Sequence, residues 1–186
     1  MALTQLLIPT YTQMLRTLAG LLAKAQDTVP QADTLLAARL APDMLPLSSQ
    51  VRFAVFQAQE ATYRLTGEAV PDWLHTVAAE GRNADANPGS MAEARARIDE
   101  ALAFLGKIGR DALDVGADQP ISIELPNGIV FDMTGEQYAR DWALAQFYFH
   151  VGMAYAILRN RGIALGKADY VPHMFAYLRP DAARTP

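Results

Sequence analysis

Apolar residues recur along the first part of the chain at intervals of three and four, through Leu7, Tyr11, Met14, Leu18, Leu22 and Ala25. That spacing keeps one helical face apolar and predicts an amphipathic helix over residues 3–25. Pro9 falls near its beginning, where it either occupies a first-turn position or kinks the helix. Residues 34–40 read as a short helix, and the two prolines of Ala41-Pro42-Asp43-Met44-Leu45-Pro46 predict a structured connection after it. A second stripe, Leu47, Val51, Val55, Ala58, Thr62 and Leu65, predicts another helix ended by Gly67. Residues 68–89 are weakly patterned and carry Pro71, Gly81, Asn83, Asn87 and Pro88, so they read as a long connection holding a turn around residues 73–79.

Ser90-Met91-Ala92-Glu93 matches a capping box, in which serine and glutamate side chains satisfy each other's free backbone N–H groups. The helix it opens shows Ala94, Ile98, Leu102, Leu105 and Ile108 on one side, up to Gly109, and a charged, solvated face on the other. Between Gln119 and Met133 the period changes to two, and Asn127-Gly128 between alternating apolar residues predicts a β-hairpin. Thr134-Gly135-Glu136-Gln137 is a second capping box, opening a helix that runs to about Asn160. From Trp142 to Leu158 that helix has no charged residue, so its whole circumference calls for cover. The run is short for a membrane span and contains Gln146, Tyr148, His150 and Tyr155, so the expectation is burial in a bundle, completed by a second subunit. A turn is expected around residues 170–177 and fraying after about 178. The predicted architecture is an all-α four-helix bundle with a short β-hairpin inserted before the last long helix, one domain over residues 1–186.

Composition narrows the function classes. With 51% apolar and 19% charged residues over 186 positions, the chain is expected to fold around a core rather than remain disordered. A formal charge of −4 supplies no field for nucleic acid, which is excluded as an expected partner. The absence of cysteine removes disulfides, thiolate metal sites and cysteine nucleophiles. Residues 1–8 do not read as a secretory signal, so a cytoplasmic location is expected, with no membrane partner.

Candidate chemistry is sparse. Gly162-Ile163-Ala164-Leu165-Gly166-Lys167-Ala168 is one residue short of a phosphate loop, lacks its Ser or Thr and follows a helix instead of a strand. His75 and His173 fall in the long connection and the tail, where solvent-facing histidines are the rule. His150 lies in the apolar helix, where imidazole stays neutral with paired nitrogens or charges beside a carboxylate. Gln146, four residues earlier, shares its face, and Tyr11, Asp43, Gln50 and Gln57 are candidates to meet the pair from other helices. A register-fixing core histidine and a small-molecule pocket are both consistent with that placement. Tyr148 and Tyr155, seven apart, predict core packing or a subunit contact. Asp43 reads as a helix N-cap or as an acid or base, with Arg39 as a local partner, and Glu60 with Arg64 as a surface ion pair.

Three segments carry a resemblance: residues 38–47 with Gln50 following, Phe147-Tyr148-Phe149-His150 leading to Ala154-Tyr155-Ala156-Ile157-Leu158-Arg159, and Leu165-Gly166-Lys167-Ala168-Asp169-Tyr170. They resemble the bacterial domain of unknown function, family 1993, a branch of the DinB/YfiT-like superfamily of four-helix bundles. The resemblance implies a bundle with a hairpin before the last helix, and a dimer. For the wider superfamily it implies a divalent metal held by three histidines and, in some members, thiol-dependent transfer or isomerisation. This chain departs from that pattern, with Gln146 in place of the first imidazole of a His-x-x-x-His pair, Asp141 where relatives carry histidine, and no histidine in the second helix. The expected function is therefore a homodimeric bundle with a small-molecule pocket lined by Tyr11, Asp43, Gln50, Gln146 and His150, without a metal cofactor. The alternatives are a zinc- or nickel-dependent transferase or hydrolase with His150 as its one plausible ligand and Asp43 as ligand or base, and a purely structural dimerisation module.

Overall fold

The structure is a computed structural model that describes residues 2–125 and 127–179. Its long helices are α1 (Leu3–Thr28), α2 (Leu47–Thr66), α3 (Asp72–Arg82) and α4 (Met91–Leu105), with a 3-10 turn at Ala32–Ala37. A short 3-10 turn at Asp114–Gly116 leads to the hairpin β1 (Pro120–Glu124) and β2 (Val130–Thr134). The last long helical stretch has three parts, α5 (Gly135–Gln137), a π-helical segment (Tyr138–Ala143) and α6 (Leu144–Asn160), followed by α7 (Lys167–Tyr170) and a 3-10 turn at Pro172–Tyr177. The fold is thus all-α with one inserted hairpin, as the periodicity predicts. The fraying expected after about residue 178 falls mostly on residues 180–186, outside the described residues.

α1 buries the predicted stripe and continues it through Leu3, Leu15 and Leu21. Pro9 sits inside this helix, where it removes one backbone donor, and the neighbouring Thr10 hydroxyl donates to the Leu6 carbonyl at 2.6 Å. The N-terminal amides of α1 are capped from far along the chain. Asp114 Oδ1 accepts from Thr4 N at 2.8 Å and from the Thr4 hydroxyl at 2.9 Å, and the Leu113 amide donates back to that hydroxyl. These amide bonds, the Thr4 backbone N–H foremost, hold the Asp114 carboxyl below its usual range.

Both predicted capping boxes are present, Ser90 with Glu93 and Thr134 with Gln137. The hairpin pairs Ile121 with Met133 and Ile123 with Phe131, and Gly128 takes a left-handed conformation at its tip (φ +82°). β1 points Ile121 and Ile123 into the core, whereas β2 lies largely exposed. The hairpin is locked to the bundle through backbone contact. A Cβ on Gly116 would stand 2.0 Å from the Leu65 carbonyl oxygen, and one on Gly135 would stand 1.9 Å from that of Gly116. Gly135 N and Glu136 N then donate to the carbonyls of Gln119 and Ala117 at 2.9 and 2.8 Å.

The segment 68–89 departs from its sequence reading, because an 11-residue helix, α3, occupies Asp72–Arg82. Leu74, Val77, Ala78 and Gly81 form its buried face, a helical spacing interrupted by nothing, and Gly81 lets the helix approach the Phe53 ring, which an added Cβ would meet at 3.1 Å. The helices are unequally covered within the single chain. α2 is the central element, with 16 of its 20 residues buried between α1, α3, α4 and α6. α6, despite lacking charge from Trp142 to Leu158, leaves Tyr148 and Phe149 exposed in the single chain. No described helix is long and apolar enough to cross a membrane.

Three local expectations are corrected. The residue at the N-cap of α2 is Pro46 and no side chain caps it, so Asp43 is not its cap. Arg39 pairs with Asp85, brought to it by the connection after α3, and not with Asp43. Glu60 does bond Arg64, which donates from Nε to Oε1 at 2.9 Å, but Glu60 is buried rather than solvated.

Candidate functional site

His150 projects from α6 into the seam with α2, and 9% of its surface remains exposed. Its Nδ1 lies 2.9 Å from Gln50 Oε1. The orientation of the Gln50 amide is set by its other end, where Nε2 donates to the Leu45 carbonyl at 3.1 Å. An amide oxygen only accepts, so His150 Nδ1 carries the proton and donates it, and Nε2 holds a lone pair. Burial lowers the His150 pKa to about 4, so the ring is neutral at physiological pH. Nε2 bonds to no described residue and is not among the fully enclosed polar atoms that lack a partner.

Two aromatic rings frame the imidazole. Phe53 stacks on it with centroids 5.0 Å apart and planes at 29°, and Phe149 meets it edge-on at 5.3 Å. Phe53 is three residues from Gln50 on α2, so the same helical face supplies the hydrogen bond and the stacking surface. Neither phenylalanine was a candidate from sequence; the signal available was that spacing, one helix turn from a glutamine already singled out.

Of the five residues proposed from sequence, the fold joins Gln50 and His150 by a hydrogen bond. Gln146 is half-buried one turn before His150 and makes no side-chain hydrogen bond to a described residue. Asp43 is exposed in the connection before α2 and makes no side-chain hydrogen bond or ion pair among the described residues. Tyr11 is fully buried on α1, edge-on to Phe147 at 4.8 Å, and its hydroxyl has no partner among the described residues. The Tyr138 hydroxyl and Gln57 Oε1 are likewise enclosed and without a partner among the described residues. Burial first, and the Glu60 charge second, push both phenols far above their ordinary pKa. Tyr138 is carried by the π segment, and the Tyr11 and Tyr138 phenols share the influence of the Glu60 charge.

The donor set does not fit a three-histidine metal site. Gln146 and Gln50 present amides beside His150, while His75 is exposed on α3 and His173 lies in the last 3-10 turn. No group of three or more His, Cys, Asp or Glu side chains that could hold a metal ion occurs among the described residues. Asp141, at a position where histidine was expected from the resemblance, is exposed and taken up by Arg140 at 2.7 and 2.8 Å. A neutral amide is a poor substitute for imidazole toward zinc.

Comparison with known proteins agrees with this architecture. A family model described as Domain of unknown function (DUF1993) matches residues 3–171. The crystal structure of a DinB family member protein from Shewanella denitrificans is similar to the chain, with a TM-score of 0.72, 30% sequence identity and 91% of each chain covered. No curated protein matches.

Proposed function

The chain belongs to the DUF1993 family and has a DinB-like fold, and from that premise we propose that it is a small-molecule-binding bundle in which His150 receives a ligand without a metal ion. The observation that carries this reading is the Gln50–His150 hydrogen bond, which makes Nδ1 the donor, so that the imidazole, kept neutral by burial, has its Nε2 lone pair free. Such a nitrogen accepts a hydrogen bond from an N–H or O–H group of a ligand, and Phe53 and Phe149 supply apolar contact around it. Gln146, half-buried one turn away, adds an amide that can donate or accept.

The proposal includes a homodimer. Ala145, Phe149, Gly152 and Ala156 follow one stripe of α6, Tyr148 and Phe149 are 39% and 53% exposed, and a second copy is the cover that this uncharged face suits. Dimerisation would also place Phe149, one wall of the imidazole site, next to the partner.

A thermal-shift screen of small metabolites on wild-type protein and His150→Leu tests the reading, with zinc and nickel as controls. Stabilisation by an organic ligand that is lost in the variant is expected. Saturable stabilisation by a metal that is lost in the variant would replace the proposal with a metal-assisted transferase or hydrolase. A dimer by light scattering with no response to any ligand would reduce it to a dimerisation module.

A further inference from the structure

Away from His150, a cleft of about 620 Å³ opens between α3, α4 and the chain that joins them, with Arg52 of α2 in its wall. None of Tyr11, Asp43, Gln50, Gln146 and His150 lines it. Arg52 is 9% exposed, yet it is poorly satisfied for a buried guanidinium. Its Nη2 donates to the Asn87 carbonyl at 3.3 Å, its Nε stands 3.7 Å from Glu80, and its Nη1 is enclosed with no partner among the described residues. A guanidinium has five N–H donors, and burying them unpaired is costly. The connecting chain is drawn tightly over this group. Gly89 has φ +77°, and a Cβ there would stand 3.2 Å from Arg52 Nη2 and 2.9 Å from Glu93 Oε2.

The charges of the cleft are unequally engaged. Glu80 is shared, since the same oxygen that faces Arg52 accepts from Arg97 Nη2 at 2.5 Å. Glu93 is occupied by the capping box, accepting from the Ser90 amide and hydroxyl at 2.7 and 3.0 Å. Glu100 also lines the cleft and has no ion pair or side-chain hydrogen bond among the described residues. One side therefore holds two guanidinium groups that share a single carboxylate, and α4 carries an uncommitted carboxylate one turn beyond Arg97. A polyanion would be repelled by the three glutamates, and an apolar ligand would have to dehydrate them. A ligand with one negative and one positive end matches the arrangement, and Thr76, Asn83 and Asn87 offer neutral hydrogen bonding between the ends.

We propose that this cleft binds a small zwitterion of the amino-acid or dipeptide class, with its carboxylate at the Arg52–Arg97 pair and its ammonium at Glu100. The site shares no residue with the His150 site and does not rest on the reading of that site. The test is an NMR titration of the isotope-labelled protein with the dipeptide Ala-Ala, its N-acetyl form, its C-terminal amide, and acetate. Ala-Ala is expected to give saturable shifts at the backbone amides of Asn83, Asn87 and Arg97. Each capped form, and each of Arg97→Gln and Glu100→Gln with Ala-Ala, is expected to bind at least about tenfold more weakly. Both substitutions are at positions with some solvent exposure, and an unchanged amide spectrum outside the cleft would show that each variant is folded. Equal binding of a capped form, binding of acetate as tight as Ala-Ala, shifts centred on His150, or no saturable shift with any probe would overturn the proposal.

Discussion

His150 Nδ1 and Gln50 Oε1 meet at 2.9 Å across 100 residues of chain, and this contact sets the tautomer and orientation of an imidazole that burial keeps neutral. Its consequences are open to measurement.

Stability should depend on pH through His150. Its folded pKa, about 4, lies below the unfolded value near 6.5, so below pH 6.5 the unfolded chain takes up a proton that the folded chain refuses. The contribution is therefore fully present above the unfolded pKa and is lost as pH falls from about 6.5 to about 4, with a total on the order of 3 kcal/mol. Urea unfolding over this pH range on wild-type and His150→Phe protein measures it. The wild type should lose the larger share of its stability, and parallel curves would contradict the assignment.

Gln50→Leu should leave the Nδ1–H of His150 and the Leu45 carbonyl without their partner. The expected cost is about 2 kcal/mol, from a buried donor left unpaired. Nitrogen NMR of the imidazole provides a second readout. Wild-type protein should show one neutral tautomer protonated at Nδ1, and the variant a mixture.

Gly116→Ala and Gly135→Ala should each destabilise by about 3 kcal/mol or more, because each new methyl group would drive into a backbone carbonyl that has no rotamer by which to yield. Gly128→Ala adds no such contact, and only its left-handed backbone opposes the change. Melting temperatures should therefore rank Gly128→Ala well above the other two.

Tyr11→Phe should not weaken the fold. The Tyr11 hydroxyl is enclosed without a partner among the described residues, so its removal relieves a buried unpaired group and is expected to add about 1 kcal/mol while keeping the edge contact with Phe147. A loss of that size on denaturant unfolding would mean that the hydroxyl has a hydrogen bond in solution.

Asp114→Asn should lower the melting temperature near neutral pH, by removing the charge that caps the first turn of α1. Because the folded carboxyl is held below its usual range, the difference from wild type should persist above the unfolded pKa and vanish as pH falls through the folded one. A difference that survives in strong acid would point to side-chain packing instead.

What the sequence determined by itself were the features written in local patterns. The α1 stripe, the capping boxes at Ser90 and Thr134 and the hairpin around Asn127-Gly128 all depend on neighbours within a few positions, so each was legible without a fold. α3 was also patterned, at Leu74, Val77, Ala78 and Gly81, but its glycine and the Asn and Pro residues that follow read as a loop until Phe53 is seen to need the gap at Gly81. Only the tertiary structure decided which helix is central. Hydropathy favours the helix around Trp142 to Leu158, yet α2 takes the interior, and three of its buried polar side chains spend hydrogen bonds on carbonyls close in space, Ser49 on Gly81, Gln59 on Val55 and Thr62 on Gln59. A polar residue satisfied in this way can be buried, and nothing in its letter says so. The same holds for Gln50 and His150: each is readable as polar in a helix, but their contact belongs to the packing of two helices, and linear spacing has no term for the distance between separate elements.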